Sequence, residues 1–431
     1  MMTVKFNLIV LIFYIYADIA LSSFCYWNTA CSYRYFSNKT PYNAVRGDIR
    51  DSVINIPECE PISIWGIFRN GKTYPDPKSA IRMKEAIAIR DLVVSSYEKG
   101  RCSLCAQDID NLRHWAIDDD MFDKTSALHD EGRQEMFDIA SRLKQVYFKP
   151  NELDGANYKF RPTHHRWVKE SAKAFLEGLE SKNLVMDDLT SEFDFVDPVN
   201  TDAEENSAWN KETNKYKISS DYLSAKDRIQ RRLGIDYSLT SDNITALYDL
   251  CCYTWSGLNN RASPWCALFT TEDLKVLEYI GDLEHYYKYG YGRQNAEMNA
   301  QIPLEDLLES FQLAKAGKGR KITAYFTRSR IMDMVYTALG WFNDSKPITA
   351  TDKKRDRYWR TSRINPLAAN IVMVLNKCAF KKSSDYHVMF YMNEEPLRSV
   401  CEGGICSWSE FEKIFSPFSD TTSNNKTTSL K

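Results

Sequence analysis

The chain has 431 residues, 43% hydrophobic and 13% aromatic, enough for one large core or two joined ones and too apolar for disorder to be the default. Lysine and arginine total 56 against 58 acidic residues, which leaves a formal net charge of -2. That balance excludes a sequence-wide positive field for nucleic acid or anionic lipid, so any anion site has to be local.

In chain order, Lys5 precedes an apolar run from Phe6 to Tyr16, and small residues follow at Ala20 and Ser22. This predicts a signal peptide over residues 1–22, since a membrane anchor needs about 20 apolar residues and this run is shorter and broken by Asp18. Residues Pro61 to Phe68 (PISIWGIF) read as a buried strand entering a polar loop at Arg69-Asn70-Gly71. A helix is expected over Ser79 to Lys99, with Ala86, Ile89, Val93 and Tyr97 on one face and Gly100 as its left-handed cap. Two more amphipathic helices are expected from Gly132 to Tyr147 and from Trp167 to Leu179. Residues 185–310 are polar and helix-rich, including the stripe Val276, Ile280, Leu283 and Tyr287. Strand character returns at Lys321 to Phe326, then a helix from Ile331 to Trp341, then strands around Ile371 to Leu375 and His387 to Met392.

Strand-loop-helix units at both ends predict an α/β domain over 23–184 and 311–420, with an inserted helical subdomain at 185–310 and a polar tail at 421–431. No later stretch reaches membrane-spanning length, and the C-terminus carries neither a retention tetrapeptide nor an anchor signal. Export to the extracellular space is the expectation.

Eleven cysteines in an exported chain point to disulfides. The local pairs that spacing suggests are Cys25–Cys31, Cys102–Cys105, one of Cys251 and Cys252 with Cys266, and Cys401–Cys406, leaving Cys59–Cys378 as a long-range pair and one thiol over. Cys102-Ser-Leu-Cys105 imitates zinc-site spacing, but no second pair with histidines follows, so no metal is expected. Glycosylation sequons stand at Asn38, Asn243, Asn343 and Asn425.

The segment IWGIFRNGKTYP (Ile64 to Pro75) resembles the signature of histidine acid phosphatases, a strand followed by Arg-His-Gly-x-Arg-x-Pro, and Tyr325 to Ala350 is similar to that family's distal motif. FSNKTPYNAVRG (Phe36 to Gly47), Ser263 to Gly292, Arg363 to Leu375 and CEGGICSWSEF (Cys401 to Phe411) resemble the multiple inositol polyphosphate phosphatases in the right order. The resemblance covers nearly all of the mature chain. It implies the histidine-phosphatase fold, a sheet flanked by helices, and phosphomonoester hydrolysis through a phosphohistidine. It also implies that four catalytic positions have changed: Asn70 stands for the nucleophilic histidine, Thr73 for an arginine, Arg328 for the second histidine and Arg330 for the proton-donating acid. An amide nitrogen delocalises its lone pair and is no usable nucleophile, and an arginine is a poor proton donor at physiological pH.

What the resemblance leaves is a cationic pocket of Arg69, Lys72, Arg166, Arg328 and Arg330 near one helix N-terminus, suited to phosphate or sulfate. The expected function is a secreted, non-hydrolysing homologue that holds inositol polyphosphates or similar small polyanions, with no cofactor, no nucleic acid and no membrane span. The alternatives are an active phosphatase of the family's usual type, or an interaction protein that ignores the pocket. His164 and His165 stand beside Arg166, which the resemblance matches to the family's separate phosphate-binding arginine, without lying on the nucleophile loop, and His114, His129, His285 and His387 show no partners in the sequence.

Overall fold

In the computed structural model, the described residues are 25, 32–149, 152–153, 157–181, 184–187, 208–256, 262–353, 355–380 and 383–419. The expected signal peptide, Cys31, the tail and Asn425 lie outside them. Among the described residues no helix is long and apolar enough to cross a membrane.

The chain groups into two compact units, one of residues 1–35, 75–125 and 216–278, the other of 36–74, 126–215 and 279–431. The helical unit draws on three separated stretches, and residues 279–310 group with the sheet.

The larger unit is built on a seven-stranded sheet: β1 (Cys59–Arg69), β2 (Tyr158–Pro162), β3 (Ile322–Thr327), β4 (Asn370–Phe380), β5 (Ser383–Met392), β6 (Glu395–Pro396) and β7 (Ile405–Ser407). The order is β2-β3-β1-β4-β5-β6, with β7 on β5. β1, β2 and β3 run parallel, while β4 is antiparallel to β1 and to β5. β1 is central in the sheet and covered on both faces, so its residues from Ile64 to Arg69 are all buried, which explains why it reads as an uninterrupted apolar run. On one face Phe68, Phe175 and Phe326 pack with ring centroids 4.7–5.5 Å apart beneath the helices Asp130–Tyr147 and Arg166–Leu179. Those two helices approach so closely that a Cβ at Gly178 would sit 2.2 Å from the Phe137 carbonyl oxygen. On the other face the Trp65 indole donates to Asp306 on the helix Gln301–Lys315.

The helical unit holds Pro77–Ala86, Ile89–Glu98, Ala106–Arg113, Ser220–Leu233 and Ser241–Thr254. The single helix expected over 79–99 is in fact two, broken at Ile87 and Ala88. A straight helix would set Ile87 and Ile89 about 200° apart, and the break allows both to be buried. Gly100 does adopt the left-handed conformation, with φ of +69°.

Three expected disulfides are present, Cys59–Cys378, Cys251–Cys266 and Cys401–Cys406. The pairs Cys25–Cys31 and Cys102–Cys105 are corrected: Cys25 bonds Cys105 across 80 residues, and Cys102 is a free thiol. Local spacing misled here because Cys105 caps the helix Ala106–Arg113, a position from which its sulfur meets Cys25 while Cys102 lies outside the helix. Non-reducing peptide mapping should recover Cys401–Cys406, whose small loop contains Gly403 and Gly404 at positive φ. Free thiols at both positions in unreduced protein would contradict the pairing.

Candidate functional site at the carboxyl edge of the parallel strands

The parallel strands end level with one another. Arg69 pairs with Thr327 and Pro162 with Phe326, so Arg69-Asn70, Thr163 and Arg328 emerge from one edge of the sheet. The backbone confirms the alignment: the Asn70 amide donates to the Thr327 carbonyl and the Thr163 amide to that of Phe326, both at 2.9 Å. In open parallel sheets this edge is where ligands bind, because loops and helix N-termini gather there. Two helices begin at it, Arg166–Leu179 after His165 and Ser329–Ala338 after Arg328, and neither N-cap side chain closes its first turn. Their leading N–H groups and dipoles favour an anion.

The loop after β1 is held by direct backbone approach. A Cβ on Gly71 would lie 2.2 Å from the Gly132 carbonyl oxygen, and one on Gly132 would lie 2.2 Å from that of Lys72. Asn70 is buried there, its side-chain amide donating to the Gly71 carbonyl at 2.9 Å. Thr73 bridges to Leu128.

The five expected cations divide. Arg69 is buried, and its Nη1 donates to the carbonyls of Asn38 and Asn365 at 2.6 and 2.7 Å. Arg328 starts its helix at the strand ends, and Arg330 follows in the first turn with its guanidinium 5.7 Å from the centre of the Tyr289 ring. Lys72 is buried, but its Nζ meets Glu131 at 2.6 Å, so its charge is matched within the protein. Arg166 has an 85% exposed side chain and pairs with Glu170 at 2.8 Å. The pocket is therefore less cationic than five unopposed charges would make it. Glu135 accepts from the Lys72 amide, and burial pushes its carboxyl up to about 7, so it carries a proton through much of the mildly acidic range.

Sequence reasoning missed a buried network behind Arg69. Asn365 donates to the Ser329 carbonyl at 2.7 Å and to Asp333 at 2.8 Å, and the His285 Nδ1–H donates to the other Asp333 oxygen at 2.5 Å. His285 and Asp333 are 48 residues apart, beyond any motif spacing. The other histidines read as lone have partners too: His129 caps the helix Asp130–Tyr147 through its ring, His387 lies against Cys378, and His114 meets the Asp110 carbonyl. The rings of His164 and His165 lie tilted against each other with centroids 3.9 Å apart, ahead of the helix rather than on the loop of Asn70. Among the sequons, Asn343 is exposed, while Asn38 and Asn243 are half-buried, and the Asn243 side chain is engaged in a capping box. Among the described residues, the buried side-chain oxygens Thr163 Oγ1, Thr327 Oγ1 and Asn365 Oδ1 have no hydrogen-bond partner in the protein, and all three residues lie at or next to the strand ends.

The model of the histidine phosphatase superfamily (branch 2) matches residues 119–393. The chain is 29% identical over 413 residues to multiple inositol polyphosphate phosphatase 1 of Drosophila melanogaster, covering 90% of this chain and 86% of the relative. It is 25% identical over 405 residues to the Homo sapiens protein of the same name, covering 84% and 82%. Among solved structures it is similar to the D. castellii phytase, with a TM-score of 0.69 at 16% identity over 92% of this chain and 90% of that one. It is also similar to the Bifidobacterium longum multiple inositol polyphosphate phosphatase in complex with inositol hexasulfate, with a TM-score of 0.64 at 15% identity over 91% and 99%. At those identities the structural likeness establishes the fold.

Proposed function

We propose, for a chain that belongs to the histidine phosphatase superfamily (branch 2), that it no longer hydrolyses phosphate monoesters and instead holds inositol polyphosphates, or small anions like them, at the carboxyl edge of β1, β2 and β3. The observation that carries this reading is the pair Arg69-Asn70 at the end of β1. A buried guanidinium and two helix N-termini favour a phosphate group there, while the adjacent amide cannot attack phosphorus. Thr163, Thr327 and Asn365 add buried oxygens still able to receive or give a hydrogen bond. The ligand class is supported by relatives named for inositol polyphosphates and by a neighbour that holds inositol hexasulfate. An extracellular location belongs to the same proposal, supported by the four disulfide bonds among the described residues.

Titration calorimetry with inositol hexakisphosphate tests the binding half. The protein should bind at low salt, and the affinity should fall steeply as the Debye length shrinks from about 10 Å at 0.1 M to about 3 Å at 1 M. Arg328→Ala should weaken binding by roughly tenfold or more, as expected for a lost charge-assisted contact. Arg166→Ala should weaken it less, because that side chain is exposed and already paired. No heat and no thermal shift at low salt would sink anion capture and favour an interaction protein.

A further inference from the structure

The sheet carries a second constellation at the far end of β1 from Arg69. Cys59 stands directly opposite Cys378 on β4, and Cys378 stands directly opposite Asp385 on β5. His387, two residues along from Asp385, therefore shares its face of the sheet. The ring of His387 is bracketed: its Nδ1 lies 3.5 Å from Cys378 Sγ, and its Nε2 lies 3.9 Å from a carboxylate oxygen of Asp385. The ligand atoms of Cys59, Cys378 and His387 all lie within 4.8 Å of one another. Cys378 is fully buried, and Cys59 and His387 are half-buried, so three donors converge from three strands at a place a small ion can reach.

In this structure the two sulfurs are joined as a disulfide, which has no thiolate to offer a metal. We propose that reduction of Cys59–Cys378 opens a site for a borderline-soft divalent cation such as zinc. The two thiolates and His387 Nδ1 would be its ligands, and a water would take the fourth position. The chemistry is balanced. A thiol or phosphine reductant supplies two electrons, two protons from solvent complete the two thiols, and the incoming cation displaces both protons as the thiolates coordinate. Zinc accepts mixed sulfur and nitrogen donors in tetrahedral geometry, and a metal-bound histidine commonly has its other ring nitrogen held by a carboxylate, the place Asp385 occupies. The neutral sum of two thiolates and a dication also suits a half-buried position. The pairing of strands supplies the preorganisation: Cys59, Cys378 and His387 are fixed by β-ladder register, so little chain has to be ordered when the cation arrives.

The test uses the full chain with cobalt(II) as a spectroscopic stand-in for zinc. The protein is reduced with a phosphine, exchanged into reductant-free anaerobic buffer, and titrated beside an untreated sample. Expected are thiolate-to-cobalt charge-transfer bands and tetrahedral d–d bands saturating at one equivalent in the reduced protein only, and their loss when zinc is added. His387→Ala, which leaves both cysteines and their disulfide in place, should abolish the tetrahedral spectrum. Asp385→Asn should keep the spectrum and weaken affinity by about 10–100-fold. The same spectrum in His387→Ala would assign the metal to other thiols, such as Cys25 and Cys105 beside Asp108, and overturn the proposal. So would binding by the unreduced protein, or loss of the far-ultraviolet circular dichroism signal of the fold on reduction in the presence of zinc.

Discussion

Purified protein incubated with inositol hexakisphosphate is expected to release no phosphate above a buffer blank, at acidic or neutral pH. Asn70 is held against the loop by its own amide, which donates to the Gly71 carbonyl. The resemblance puts Asn70 in the place of the nucleophilic histidine, and an amide nitrogen has no available lone pair for the covalent route. The same resemblance puts Arg330 in the place of the proton-donating acid, and an arginine is a poor proton donor. In coupled catalytic units the loss of the nucleophile alone lowers turnover by roughly 10⁴ to 10⁶, and a second loss adds little because the unit has already failed. The restoring experiment is correspondingly demanding. Asn70→His by itself should stay inactive, whereas the quadruple replacement Asn70→His, Thr73→Arg, Arg328→His, Arg330→Glu should regain measurable hydrolysis. Turnover by the parent at an ordinary phosphatase rate would overturn the inactive reading. If that turnover were abolished by a change at His165, the histidine pair ahead of the helix would take the nucleophile's place.

Much of the sheet was legible in the sequence, apart from β2 and the short strands β6 and β7. β1, β3 and β4 are covered on both faces, so burial wrote them as apolar runs. β2 was invisible because Tyr-Lys-Phe-Arg-Pro carries two cations, and only the folded chain supplies their partners: Lys159 meets Asp306, and Arg161 meets Asp187. The candidate site follows the same division. Arg69, Asn70 and Arg328 could be placed because each lies beside a readable strand end. That Glu131 matches the charge of Lys72 could not be foreseen, since the acid stands on a helix 59 residues away and meets the loop through the contact of Gly71 with Gly132. A sequence lists charges, whereas the fold decides which of them are already opposed.

A second large effect is expected at the turn Asn393-Glu394, where local and tertiary preferences conflict. Both residues have positive φ, 50° and 66°, and join β5 to β6 in a two-residue turn whose second position favours glycine. Judged locally, Glu394→Gly should stabilise the protein by about 1 kcal/mol, the penalty a side chain meets in the left-handed region. The carboxylate of Glu394, however, receives both arms of the buried Arg142 guanidinium at 2.6 Å, the Tyr42 hydroxyl at 2.9 Å and the Ile49 amide at 3.4 Å. Removing one partner of such a pair leaves a buried charge uncompensated and costs about 3–5 kcal/mol. The tertiary term is the larger, so Glu394→Gly should destabilise the sheet unit by roughly 2–4 kcal/mol. Arg142→Met should cost less than Arg142→Ala, because its chain refills the space the arginine stem occupied, although Glu394 is stranded in both. Urea unfolding followed by tryptophan fluorescence, with Trp65 buried in β1 as a reporter, measures these differences. A midpoint for Glu394→Gly at or above that of the parent would show that turn strain outweighs the ion pair and would invert the ranking.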